Sequence, residues 1–553
     1  MRAAYSQDLE QLTKKQKVKV TGGVSANQMF YFSDGQNQRR DPYSYTLSGR
    51  LAIAYGGLSV PLSFSYTNQR FSYGQPFNIV GMSPKYKWVT AHLGFRSMNF
   101  SPYTLNGHQF LGAGLEVLPP KTGLKISAMY GRMLKAVEAD GNNRPSYERY
   151  GMGLKVEHKN DKTTLGLSMF TAKDYYNSIN TPLDRYNITP QENVAIGVNV
   201  SKRIGSHLTA NADVARSAYT RDTRLVASEE KAKGLDQAFL IDKRISTSYY
   251  NAYKLGLTYQ MKVLSVGIGY ERIDPGYKTL GAYYFINDLE GITVNASTSF
   301  WHNKITLGAN VGKQRDNLDK TKTATQNRWV SSFNLGFNPT PKWNMSLSYS
   351  NFQSYTNVRP NGGAQGVYTR FDADTLNFVQ IAQSAQGNVM RVLKSDENSQ
   401  STVNLGISVQ VSTQKAGTQT IYSPTFYNSN LGYTLSLPKK NTSFNAGVNG
   451  NVSGEGENQT MFLGPIVGTN KTFFKNTLRC GINGSWNRVY LKGKPTSSIL
   501  SFSQTNSITL KKKHGVNANI TYTRMETPVN TNVLAFNRPI NDFMANVGYS
   551  YSF

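Results

Sequence analysis

Cysteine is almost absent. The 553-residue chain carries one, Cys480, so no intrachain disulfide can form and a cysteine-based metal site has no framework. Histidine is sparse too. His92, His108, His158, His207, His302 and His514 show no metal-ligand spacing. No run of about 18 apolar residues occurs, which excludes a transmembrane helix. Hydrophobic residues reach only 39%, too little for the several globular cores that the length would otherwise suggest. There is no G-x-S-x-G elbow, no P-loop, and no Gly-x-Gly-x-x-Gly between a strand and a helix. No catalytic residue, cofactor or metal is expected.

What the chain does have is 34 Tyr, 48 Gly and 12% aromatics. Disordered chains lack aromatics. Tyr, Ser, Asn, Thr and Gly with modest aliphatics is the composition of strands that show one face to lipid and the other to water. The last residues, ANVGYSYSF, have that form. Phe543, Ala545, Val547, Tyr549, Tyr551 and Phe553 fall on one face, and Asn546, Gly548, Ser550 and Ser552 on the other. The alternation recurs from about Lys17 onward. Leu307, Ala309 and Val311 alternate with Gly308, Asn310 and Gly312; Val403, Leu405, Ile407 and Val409 alternate with Asn404, Gly406, Ser408 and Gln410. Each run is about 10 to 14 residues, longer than a globular strand and right for a tilted bilayer crossing.

Two kinds of connection separate the runs. Short ones such as GGL at 56–58, HNK at 302–304, QKAG at 414–417 and KKKHG at 511–515 alternate with longer polar ones, including 34–42, 139–146, 174–192, 221–243, 355–398 and 526–541. Short turns on one side and long loops on the other are the pattern of an outer-membrane barrel. The fold expected is all-β: a single large transmembrane antiparallel β-barrel of about 26 strands, with about 24 as the fallback, short periplasmic turns and long extracellular loops. The least certain stretch is 418–437, which reads as two short strands or as one strand and a loop. Residues 1–16 read as a leader or signal remnant with a periplasmic segment, and 17–553 as the barrel. Ala4-Tyr5-Ser6 before Gln7 has the small-x-small form of a cleavage site without an apolar segment ahead of it.

Closing such a barrel requires the last strand to pair with the first. Tyr549, Tyr551 and Phe553 therefore mark the barrel-closing strand. Ending in Phe, it resembles the assembly signal of bacterial outer-membrane proteins; the same aromatics also serve as girdle residues. The segments GMSPKYKWVTAHLGFRSMNFSPYTLNGHQFLGAGLEVLPP (81–120) and ERIDPGYKTLGAYYFINDLEGITVNAS (271–297) resemble large outer-membrane barrels of Bacteroidota. That resemblance implies a Gram-negative envelope and carries no catalytic residues. The short stretch before the first strand leaves no room for the plug of a TonB-dependent transporter or the periplasmic repeats of a barrel-assembly protein.

By parity, Arg96, Glu116, Arg132, Lys155, Glu157 and Glu271 face the lumen, and their mixed signs argue against a strongly ion-selective wall. His92 is placed there too, and Cys480 on the apolar face. In the longest loop, Phe371, Asp372, Asp374, Leu376 and Phe378 form a candidate constriction or docking element. Asp372 and Asp374 lack the further ligands and the glycine of a Ca²⁺ loop. VASEEKAKGLDQAFLI (226–241) reads as a short helix capped by Ser228. Net charge is +28, spread over turns and loops rather than gathered beside stacking aromatics, so nucleic acid is rejected as a partner. Outer-membrane lipids, lipopolysaccharide and other envelope proteins are the expected partners. Two functional readings stand. The first is a plug-less structural or docking subunit of a larger envelope complex for protein assembly, export or surface-lipoprotein handling. The alternative is a porin-like channel for solute or polymer, gated by its own loops.

Overall fold

Across the strand pair Ile305–Arg315 and Asn327–Phe337, Leu307 stands opposite Leu335 and Ala309 opposite Phe333, while Gly308 faces Asn334 and Asn310 faces Ser332. Apolar therefore meets apolar on one side of the sheet and polar meets polar on the other. A slip of one residue would put every Leu and Phe on the wet side, so the sequence pattern pins the register.

The chain is described by a computed structural model that covers residues 17–553 apart from 36–39, 70–77, 140–144, 181–185, 187, 230–236, 238, 240, 284–285, 323–324, 326, 356–378, 417–418, 423–424, 455–458 and 527–538. Neighbouring strands pair antiparallel throughout, and Lys19–Ser33 pairs with Ile540–Ser552, which closes the sheet. Closure satisfies every wall strand on both edges, the condition for a sheet to sit in hydrocarbon. Ile79–Met82 and Lys85–Tyr86 both lie between Leu58–Thr67 and Val89–Asn99, and form one interrupted wall strand. Gln419–Tyr422 and Thr425–Leu437 both pair with Gln400–Ala416 and form another. The wall then has 26 strands. The stretch 418–437 is thus a single crossing.

Three expectations about connections change. The stretch 355–398 is not one loop, because Val379–Ser395 is a wall strand in register with Trp343–Tyr355. Val389, opposite Met345, lies on the outer face of the wall, and Met390, opposite Asn344, on the inner face. The candidate residues Phe371, Asp372, Asp374, Leu376 and Phe378 lie outside the described residues. Second, the loop side is not uniformly long. Ala416 at the end of Gln400–Ala416 pairs directly with Gln419 on that side, and Leu478–Leu491 connects to Lys494–Leu510 through Lys492 and Gly493, both in the left-handed region (φ 53° and 75°) that a two-residue hairpin requires. Third, the start of 226–241 is bridged to the wall side of the loop, and 230–236, 238 and 240, where the expected helix would run, lie outside the described residues. Ala227 bridges antiparallel to Arg244, and Ser228 N–H donates to Lys243 O at 2.9 Å. The end of this segment puts Phe239 against Val194 and Ala218 on the outer wall.

Candidate functional site

The lumen holds protein on one side. After Val89–Asn99, residues 100–105 turn inward instead of arching over the rim. After Leu264–Ile273, residues 274–283 do the same, although eight wall strands lie between the two segments. The two segments meet. Leu105 bridges parallel to Gly281, and Asn106 N–H donates to Gly281 O at 2.9 Å. Tyr277 Oη donates to Tyr103 O at 2.7 Å, and Thr279 Oγ1 donates to Thr104 O at 2.5 Å. The wall grips the second segment from behind. Asn193 donates to Lys278 O (3.3 Å) and accepts from Leu280 N–H (3.1 Å), while Ser217 Oγ donates to Lys278 O at 2.7 Å. An internal loop carries backbone polar groups that no water reaches, so buried side-chain amides and hydroxyls must take them. Gly281 is required for the close approach: a Cβ there would lie 2.4 Å from Thr104 O.

Beneath the pair lies a hydrophobic cluster of Met98, Phe100, Leu105, Phe110, Met129 and Phe170, joined by Met133, Ala172, Tyr219 and Leu280. These wall residues point inward. They invert the greasy-out rule because the lumen here is filled by protein, not water. The inversion corrects the placement of Arg132. Met129, Gly131 and Met133 take the inner face, so Arg132 stands on the outer face opposite Leu111, beside exposed Tyr130, with Glu148 Oε1 at 3.3 Å.

The other five candidate charges sit on the inner face in this same sector. Arg96 Nη1 donates to Ser63 Oγ at 2.8 Å. Glu116 has Lys125 Nζ at 2.7 Å and His92 Nε2 at 3.7 Å. Lys155 and Glu157 are 2.8 Å apart. Glu271 accepts from Tyr103 Oη at 2.7 Å, which ties the loop pair to the wall. Burial first, and then the Glu271 carboxylate, push the Tyr103 phenol up, so it stays a donor. Arg149 and Asp174 form a two-pronged pair at 2.7 and 2.9 Å near the rim. Positive and negative groups alternate across strands, as in Asp213 opposite Lys254 opposite Glu271. Sequence reasoning missed Asn193, Ser217, Thr104, Tyr277 and Thr279. The break in alternation after Asp274-Pro275-Gly276 was the available signal.

The opposite sector has another chemistry. From Trp343 to Leu491 the inner face carries Ser, Thr, Asn, Gln and Gly with a few apolar residues, and among the described residues its one charge is Arg479 at the turn-side end. Ser346, Gln386, Asn388, Asn430 and Asn449 here, and Asn334 on the neighbouring strand, are exposed although they face inward. Two cavities of about 660 and 640 Å³ lie against this wall and its approach from Gln260–Leu264.

The outer face carries Leu154, Leu167, Leu255, Ile268, Leu347 and Leu431, all exposed. Exposed Tyr55, Tyr259, Trp301 and Phe474 ring the turn side, and Phe32, Tyr43, Trp329 and Phe543 the loop side. An apolar band between two aromatic girdles on a closed barrel is a surface for hydrocarbon. The chain is a large integral outer-membrane β-barrel. Among the described residues, no three His, Cys, Asp or Glu side chains gather as a metal site.

No protein-family model matches the sequence, and no curated protein does either. Solved structures resemble it. The translocation pore of the P pilus usher PapC is 12% identical over 97% of this chain and 99% of that one, with a TM-score of 0.42. The FrpB iron transporter from Neisseria meningitidis is 10% identical over 96% and 82%, with a TM-score of 0.39. Acinetobacter baumannii OccAB2 is 9% identical over 71% and 97%, with a TM-score of 0.30.

Proposed function

We propose that the barrel is a porin-like channel for hydrophilic, uncharged solutes, and that passage follows the amide-lined sector beside the loop pair. The observation that carries this is the exposure of inward-facing Asn334, Ser346, Gln386, Asn388, Asn430 and Asn449, set against the buried inward face of the Phe110–Phe170 sector. Polar, uncharged walls hydrogen-bond a solute without holding it by charge, so entry and exit are both permitted. The mixed charges of the filled sector neutralise one another across strands, as in Lys125–Glu116, and along one, as in Lys155–Glu157, which supports weak ion selectivity. The docking-subunit reading leaned on apolar content in 355–398 and on the basic turns. The part of that content in Val379–Ser395 belongs to a wall strand and so offers no partner surface of its own.

Liposome swelling tests the proposal. Vesicles carrying the purified full chain are expected to swell in neutral sugars up to a size limit, at rates unchanged by the presence of other envelope proteins. Vesicles that stay impermeable, with the protein recovered from native membranes only in a fixed ratio with partners, would support the docking-subunit reading instead.

A further inference from the structure

Resting on the channel reading, we infer that the inner wall carries a built track for an extended neutral oligosaccharide. Follow the inter-strand hydrogen-bonding direction from Ser348. It faces Gln386, which faces Ser408, then Asn428, then Asn451, then Phe462. One inward side chain from each of six consecutive wall strands thus forms a single row. At about 4.8 Å per strand it runs about 24 Å. It climbs from mid-barrel at Ser348 to the loop-side mouth at Phe462, because strands tilt in a closed barrel. The members bond to one another. Asn451 Nδ2 donates to Asn428 Oδ1, and Asn428 Nδ2 donates to Ser408 Oγ at 3.2 Å. Each amide keeps a spare N–H and spare lone pairs for the lumen. A second row through Asn388, Asn430 and Asn449 runs alongside it, and the cavity of about 640 Å³ lies over both.

The chemistry selects the ligand. A sugar hydroxyl both donates and accepts, and so does the primary amide. One strand step is close to the length of one hexose unit, so successive sugars meet successive amides. Phe462 offers an aromatic face to the C–H face of a pyranose at the mouth. The row has no charge to hold an anionic or cationic polymer. A polypeptide would set its charged and apolar side chains against a wall with partners for neither.

The probe is an end-labelled linear β-1,4-linked glucan hexasaccharide, equilibrated by dialysis against the detergent-purified full chain. Retention is expected, weakened about tenfold by Phe462→Ala and by the double change Asn428→Ala with Asn451→Ala. Asn310→Ala, on the inner face outside the row, should leave retention unchanged; a matching loss there would overturn the track. The variants face water, and the mobility difference between heated and unheated protein on a gel checks that they fold. No retention by folded wild type, or retention of an uncharged polypeptide of equal length with the same sensitivity, overturns the track. The same preparations are placed in planar bilayers. Conductance without retention removes the track and leaves the channel; retention without conductance removes the channel and leaves the track.

Discussion

Phe170 is fully buried against Gly153 and Ala195 on the inner wall. Phe170→Ala should cost about 3–5 kcal/mol, the usual price of a large core truncation, read as a lower urea midpoint for unfolding in lipid vesicles. An unchanged midpoint would mean that the cluster is not a core. Asp174 is held in the two-pronged Arg149 pair and also accepts from Gln191 N–H at 2.9 Å. Removing it strands a mostly buried guanidinium, so Asp174→Ala should destabilise by about 3–5 kcal/mol. Asp34 behaves differently, because it is exposed to solvent at the seam. Asn541 donates to it through backbone N–H (2.7 Å) and Nδ2 (2.6 Å), and the backbone bond and then the side-chain bond hold the carboxyl below the ordinary aspartate range. A depressed value makes the latch whole above about pH 4 and loses it as pH falls through the lowered value. Asp34→Ala should therefore lower thermal stability at pH 7 and make no difference at the acid end. A gap between the two proteins that is constant with pH would contradict this.

At the scale of elements, the loop pair at 100–105 and 274–283 is a fixed filling rather than a swinging gate. It is held by side-chain bonds to its own backbone and to the wall, over a continuous apolar cluster. Gly281→Val should displace the pair, since its Cβ would meet backbone oxygen, and should raise channel conductance while the wall stays folded. Strand identity was legible in sequence wherever one face met lipid and the other water, as in Leu307 opposite Leu335. It failed where that contrast failed. Met129 and Met133 point inward because the lumen there is protein, which misplaced Arg132. Val379–Ser395 does not read as a strand because Gln383 interrupts its outward face and Met390 its inward one. Asn193 could not be singled out among many asparagines, since its role depends on a segment more than 80 residues away. The two segments singled out for resemblance, 81–120 and 271–297, contain the inward-folded pair.

For the molecule as a whole, the lumen divides into a filled sector with paired charges and a neutral sector lined by amides and hydroxyls. A wide closed wall is what allows both, because barrel diameter grows with strand number. Single-channel conductance of the purified full chain in a planar bilayer tests this division most directly. The division predicts a steady, ohmic conductance with a reversal potential near zero in a salt gradient, rising when Gly281→Val displaces the loop pair. A silent barrel, or a strongly ion-selective one, would contradict it.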